Sequence, residues 1–498
     1  MHTHRTIVRW AALAGALCLL AAGCAVVPRP TQSPHAGGAG PLGRCAELFA
    51  ALDERAVRAD ALDGGAFRVE GHPYLRVDRF LASFRDEALD DRAFGAWIDR
   101  MQALDLEARR HELANSSAGA RSADEDAVLL REAAACGDRL KAADFATAER
   151  RTAFRRHLNV PDEYIRLRRV LGIYPVVSFF VSAGVSNWHD EARQTFANEP
   201  PPSDPRMVHY APAGGADAPA AARVVSTAPR DGLRVPVYDE AALDLLFRRH
   251  APAWRVQTAT DDDRIGAPFW SQAGELGIDT GRPTAYTLLS FTRFDREILT
   301  QLNTVVWFPA RPKEHALDIY GGFLDGVIYR VTLDADGEPL LYETIHACGC
   351  YYEAYPTERL RVRAAIDYPE PPLILTAPAA TAARPVLALA LESRTHYVDR
   401  LFPIDRSPIP AATVDLPLSP YDRLRSLPTP GGGHRSMFAP DGLVPGSERL
   451  ERFILWPTGV ASPGGMRQWG RHAVAFVGER HFDDPFALDR MFVRVGAP

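Results

Sequence analysis

Lysine is almost missing from this chain: Lys141 and Lys313 are the only two, and arginine supplies the rest of the 57 basic residues. We read that as the mark of a GC-rich genome. Arginine runs such as "RRTAFRR" are therefore expected to be solvated helix faces and not phosphate sites. The basic excess that nucleic-acid binding needs is also missing, since the formal net charge is −6. The enzyme signatures Gly-x-Ser-x-Gly, His-Glu-x-x-His, a dinucleotide fingerprint, Cys-x-x-Cys-His and Cys-x-x-Cys are absent. These absences argue against the familiar hydrolases, dehydrogenases and cytochromes. Apolar runs of membrane-spanning length are lacking as well, because the longest, "WAALAGALCLLAAGC", falls short of the ~20 residues a spanning helix requires.

That short run is informative where it stands. It follows His4, Arg5 and Arg9 and ends in Ala21-Ala22-Gly23-Cys24, the layout of a secretory leader with a lipobox-like end. Residues 1–23 are expected to be removed and Cys24 lipidated. Residues 24–42, rich in Pro and Gly, are expected to be a flexible tether. The expected location is the cell envelope, on the outer membrane facing the periplasm. The expected partners are the membrane, through that anchor, and an envelope protein, with no nucleic acid.

Cysteine is scarce, and of six residues Cys18 and Cys24 belong to the leader and its cleavage site. Four remain for an oxidising compartment. Cys45 and Cys136 lie in helical patterns near the two ends of one region and are expected to form a structural disulfide.

Residues 43–198 read as a helical domain. Phe94, Trp97, Ile98 and Met101 recur at helical spacing as a core stripe, and "PVVSFFVSAGV" is expected to be another core segment, with a surface that touches the membrane or a partner as the alternative. A Pro, Ala and Gly-rich linker is expected over 199–221. Residues 222–498 carry short β-branched and aromatic runs bounded by turn residues, which predicts a larger mixed domain with antiparallel sheet. The fold class expected is α+β. Its clearest local feature is a hairpin in which "GVIYRVTL" and "EPLLYETIH" flank the turn "DADG".

The second run leads straight into His346, Cys348 and Cys350, alternate residues of one parity. On a straight strand such side chains stand ~7 Å apart, too far for one metal ion or for a disulfide, so the chain has to bend at Gly349. Three readings stay open: a zinc or copper site, a thiol redox pair, and a structural turn. His396, after the strand "PVLALAL", is the histidine expected to join His346 as a fourth metal ligand. His315, His472 and His481 are weaker candidates. The Gly- and Pro-dense C-terminal stretch is expected to cover a site, with Arg435, Arg467, Gln468 and Trp469 as candidate pocket residues.

The segments "QLNTVVWFPARP", "DIYGGFLDGVIYRVTLDADGEPLLYETIHACGCYYEAYPT" and "PDGLVPGSERLERFILWPTGVASPGGMRQWGRHAVAFVGERHFDDP" resemble a family of uncharacterised proteobacterial lipoproteins. The resemblance covers most of the mature chain, implies an envelope location, and implies no activity or catalytic residue. The function expected is metal binding, as a metal-dependent hydrolase or in metal handling. A non-enzymatic scaffold or ligand-binding lipoprotein and a thiol–disulfide protein are the alternatives.

Overall fold

A computed structural model describes residues 29–116, 122–197, 206–213, 218–316, 318–378, 386–404 and 413–496. The leader and Cys24 lie outside these residues. Helices gather in the N-terminal region and sheet dominates the larger C-terminal region, an α+β fold with mainly antiparallel strands.

The helical region is built on α1 (Pro41–Arg58), α2 (Asp91–Ser116), α3 (Ala123–Asp144) and α4 (Ala148–His157). Pro41 opens α1, where a missing amide costs nothing. Ser122 and Glu125 close a capping box on α3. Phe94, Trp97, Ile98 and Met101 of α2 are buried as their spacing predicts. Cys45 of α1 and Cys136 of α3 are joined as a disulfide with Cα atoms 5.1 Å apart. Replacing both with serine is expected to cost about 2–5 kcal/mol in denaturant unfolding, because the bond closes a long loop in the unfolded chain.

This region is not wholly helical. A small antiparallel hairpin, Phe67–Val69 with His72–Val77, runs through it. Beneath the hairpin lies an ionic network that no local pattern announces. Arg76, fully buried, reaches Glu112 at 2.7 Å, and Arg109 reaches Asp105 at 2.6 Å and Asp53 at 3.0 Å. The expected tether also ends earlier than residue 42. The Gly71 amide donates to Thr31 Oγ1 at 2.7 Å, His35 bonds Asp144 at 2.8 Å, and Ser33 is buried, so the chain is docked from about residue 31.

The main sheet has seven strands: β1 (Ala285–Phe294), β2 (Glu297–Arg311), β3 (Gly322–Leu333), β4 (Pro339–His346), β5 (Glu353–Pro356), β6 (Leu373–Ile374) and β7 (Leu418–Pro420). Their spatial order is β6-β5-β4-β3-β2-β1-β7, antiparallel from β5 to β1 with a parallel strand at each edge. The predicted hairpin is β3–β4, with His346 opposite Val327 and Glu343 opposite Arg330. Both faces are covered: Leu341 and Ile345 enter one core, Val327, Tyr329 and Val331 another. A second sheet of five strands includes Met207–Ala211, so the expected linker 199–221 contributes a strand and is not merely a connection.

One expectation is overturned. "PVVSFFVSAGV" belongs to α6 (Tyr174–Ala197), which comes after α5 (Arg166–Leu171), and its apolar side chains face outward. The C-terminal half of α6 packs on the core through Trp188, Ala192 and Phe196, and Tyr174 at its start is held by the Gly478 amide, leaving Val176, Phe179 and Phe180 exposed between them. Composition marks a segment as apolar but does not say whether the fold supplies a surface to cover it.

Candidate functional site

The connection between β4 and β5 is a tight, clamped turn. The His346 amide donates to the Cys350 carbonyl at 3.0 Å, and the Gly349 amide to the His346 carbonyl at 2.8 Å. Gly349 has φ of 93°, and a Cβ there would collide with the carbonyl oxygen of Ala473. Only glycine meets both demands. The C-terminal stretch grips the turn further: the Arg467 amide donates to the Ala347 carbonyl at 2.9 Å, Arg467 Nε donates to the Cys348 carbonyl at 3.0 Å, and His472 Nε2 donates to the Ala347 carbonyl at 3.1 Å.

The two cysteines of this turn are unbridged, Cys348 buried and Cys350 half-buried. The Cys350 amide donates to Cys348 Sγ at 3.4 Å. Hydrogen bonding by the Cys348 side chain, with burial adding to it, pushes the Cys350 thiol well above its usual value. Nearby Glu451 raises it further. Glu451 is itself buried, and burial lifts its carboxyl to about 7 in spite of Arg311, Arg449 and Arg467 around it. Gly464 leaves the space that Glu451 occupies, since a Cβ there would meet the carboxylate.

His346 and His396 do meet, but through a carboxylate. Asp325 Oδ2 lies 2.9 Å from His396 Nδ1, and its Oδ1 lies 3.4 Å from His346 Nδ1. His396 Nε2 is 3.4 Å from Asp263, and its ring stacks on Phe308 with centroids 4.0 Å apart. All four of these titratable groups are buried. Burial opposes charge on Asp325, yet the two imidazoles hold it well below the ordinary carboxylate range. Burial pulls His346 below its usual value, with Asp325 only partly offsetting it, while the Asp263 and Asp325 carboxylates overcome burial and raise His396. Within this buried row the two imidazoles thus shift in opposite directions, His396 up and His346 down.

His346 Nε2 is buried and has no hydrogen-bond partner among the described residues. Its ring is flanked by Tyr351 at 4.9 Å and Tyr397 at 5.9 Å between centroids. Arg311 reaches the Tyr397 hydroxyl at 3.1 Å and the Tyr351 hydroxyl at 3.4 Å, and its guanidinium lies over both rings. Leu324, Tyr351 and His396 take positive φ of 60°, 59° and 53°, conformations costly for side-chain-bearing residues. They adjoin Asp325, Cys350 and Tyr397, and strain of this kind collects at working sites.

The four residues expected to share a metal thus come as two pairs, His346 with His396 around Asp325, and Cys348 with Cys350. Among the described residues no three His, Cys, Asp or Glu side chains are grouped as metal ligands. Of the C-terminal candidates, Gln468 and Trp469 line a cleft of about 330 Å³ between α2, β1 and the C-terminal stretch. Arg467 instead spends its donors on the carbonyls of Cys348, Ala461 and Ser462, and Arg435 lies over Trp270. His472 clamps the turn, and His481 sits 3.1 Å from Asp162.

Sequence reasoning missed Asp325, Arg311 and Glu451. Asp325 left one signal, a lone acid inside the apolar strand run "FLDGVIY". No protein-family model matches the chain, no curated protein matches it, and no solved structure matches its fold.

Proposed function

We propose that Cys348 and Cys350 form a reversible dithiol–disulfide pair in a lipid-anchored, periplasm-facing envelope protein. The observation that carries this reading is a pair of unbridged thiols on a rigid turn, the Cys350 amide donating to Cys348 Sγ, beside a buried carboxyl that titrates near neutrality. The first sulfur to ionise attacks one sulfur of a partner disulfide and expels the partner's other sulfur as a thiolate. The second thiol then attacks the mixed disulfide, closing the bond between Cys348 and Cys350 and releasing the partner's remaining sulfur. Two electrons pass to the partner, and the two protons leave through Glu451 and the released thiolates. A ring closed over a single intervening residue is strained, which favours its reopening and suits exchange better than permanent cross-linking.

The test is a redox titration of the soluble chain beginning after Cys24, with alkylation mapped by mass spectrometry. Cys348 and Cys350 are expected to lose their free thiols together and to regain them reversibly, while Cys45 and Cys136 stay joined. Two thiols that remain free at every potential would defeat the proposal.

A second reading keeps the metal. The orphaned Nε2 of His346 favours it, because a buried nitrogen without a partner is where a zinc or copper ion gains a ligand. In that reading the two thiolates and His346 hold the ion, and His396, engaged by Asp263 and Asp325, orients the pair as an outer partner. Elemental mass spectrometry of the untagged chain separates the two: about one zinc or copper per chain, with both thiols protected until a chelator is added, selects the metal.

A further inference from the structure

Large exposed apolar side chains are concentrated on one part of this molecule. Leu167, Val170 and Leu171 on α5, Ile173 between the helices, and Val176, Phe179 and Phe180 on α6 all face solvent, with Val170 76%, Phe179 72% and Phe180 69% exposed. A second apolar group joins them. The 3-10 turn Trp456–Thr458 packs against both α5 and α6, and the short α7 (Arg452–Leu455) that leads into it exposes Phe453 and Ile454, with Leu450 just before. Arg169 fixes the junction by donating from Nε to the Thr458 carbonyl at 2.7 Å, as the Ile165 amide does to the Gly459 carbonyl at 2.7 Å. A contiguous apolar area of this kind marks a binding surface.

We infer that this face seats on an anionic lipid surface. Among the described residues no helix is long and apolar enough to cross a membrane, so the helices lie on the bilayer with their apolar side inward. The charges around the patch fit that occupant. Arg166 is exposed on α5 and Arg452 lies over Phe453 on α7, each with no carboxylate within ion-pair distance among the described residues. The acids of α6, Asp190 and Glu191, stand about 15 Å further along the helix from Phe180. Exposed Glu448 lies two residues before Leu450 and Glu479 is paired with Arg169, so the match to anionic headgroups rests on the uncompensated Arg166 and Arg452.

The start of the chain keeps the body close to such a surface. Thr31 is docked on the helical region, only seven residues after Cys24. Extended chain spans ~3.5 Å per residue, so an anchor at Cys24 would hold the body within about 25 Å of the lipid. That last step rests on the anchored reading, whereas the patch and its charges do not.

The test uses the soluble chain beginning after Cys24, floated with phosphatidylcholine vesicles made with and without phosphatidylglycerol. The chain is expected to float with the phosphatidylglycerol vesicles and only weakly with phosphatidylcholine alone. The F179S/F180S variant is expected to lose about a hundredfold in partitioning, the scale of two phenyl rings left in water. R166E/R452E is expected to lose the preference for phosphatidylglycerol. The substituted phenylalanines are exposed, so circular dichroism of F179S/F180S should match the parent and exclude misfolding. Absence of flotation overturns the inference, whether the chain is then a monomer or a dimer that F179S/F180S dissociates. Lipidation is read separately, by metabolic labelling of the full chain, so neither result stands in for the other.

Discussion

Glu343→Ala is expected to destabilise the fold by about 3–5 kcal/mol, the cost of stranding a buried charge. Glu343 and Arg330 are cross-strand partners on β4 and β3, joined by two bonds of 2.6 Å with essentially no exposure on either side. Arg330 also donates to the Phe482 carbonyl at 2.7 Å with its guanidinium 3.6 Å from the Phe482 ring, and Tyr352 donates its hydroxyl to Glu343 at 2.7 Å. The pair therefore ties the C-terminal stretch and the residues just after Cys350 to the sheet. Removing the carboxylate leaves the guanidinium without its counter-charge in a site that water does not reach. Equilibrium denaturation measures the loss. The Arg330→Met/Glu343→Leu variant is expected to recover much of it, because two apolar side chains of similar volume strand no charge. A loss below about 1 kcal/mol for Glu343→Ala would mean that Arg330 finds another acceptor or that water enters.

Release of the partner's second sulfur is expected to disappear in Cys348→Ser and in Cys350→Ser, which stop at the mixed disulfide. Closing the ring needs both sulfurs, and a hydroxyl replaces neither. Glu451→Gln keeps both thiols and removes the neighbouring proton acceptor. In the parent, the rate of reaction with glutathione disulfide is expected to climb as pH rises through about 7, where the Glu451 carboxyl ionises and can take a proton. In Glu451→Gln that inflection is expected to vanish, leaving only the rise at alkaline pH from the thiols themselves. A structural role for Glu451 would change stability and leave the shape of the profile alone, so an unchanged profile removes Glu451 from the chemistry.

The legible parts of the molecule are those set by local periodicity. The α2 stripe and the β3–β4 hairpin with its Asp-Gly turn could be read from spacing and turn chemistry, and the partnership of Cys45 with Cys136 from the few cysteines that one helical region holds. Along β4 the side chains part in the same way, Glu343 bonding Arg330 while His346 lies beside Asp325 and Tyr397. What did not show was anything that distant segments assemble. Asp325, His346, His396 and Asp263 come from four places in the chain, and the expected meeting of His346 with His396 runs through the Asp325 carboxylate. The exposure of α6 was hidden for the same reason, since whether an apolar face is covered depends on its neighbours.

The grip of Arg467, His472 and Ala473 on the Cys348–Cys350 turn sets an order of events during synthesis. A chain delivered from its N-terminus presents Cys45 and Cys136 long before Cys348 and Cys350, so their bond can close before those two thiols are within reach. Cys348 and Cys350 arrive later, and the segment that clamps them arrives last of all. Truncation after β7 would leave the first bond intact and the second pair unguarded, open to exchange with any passing disulfide.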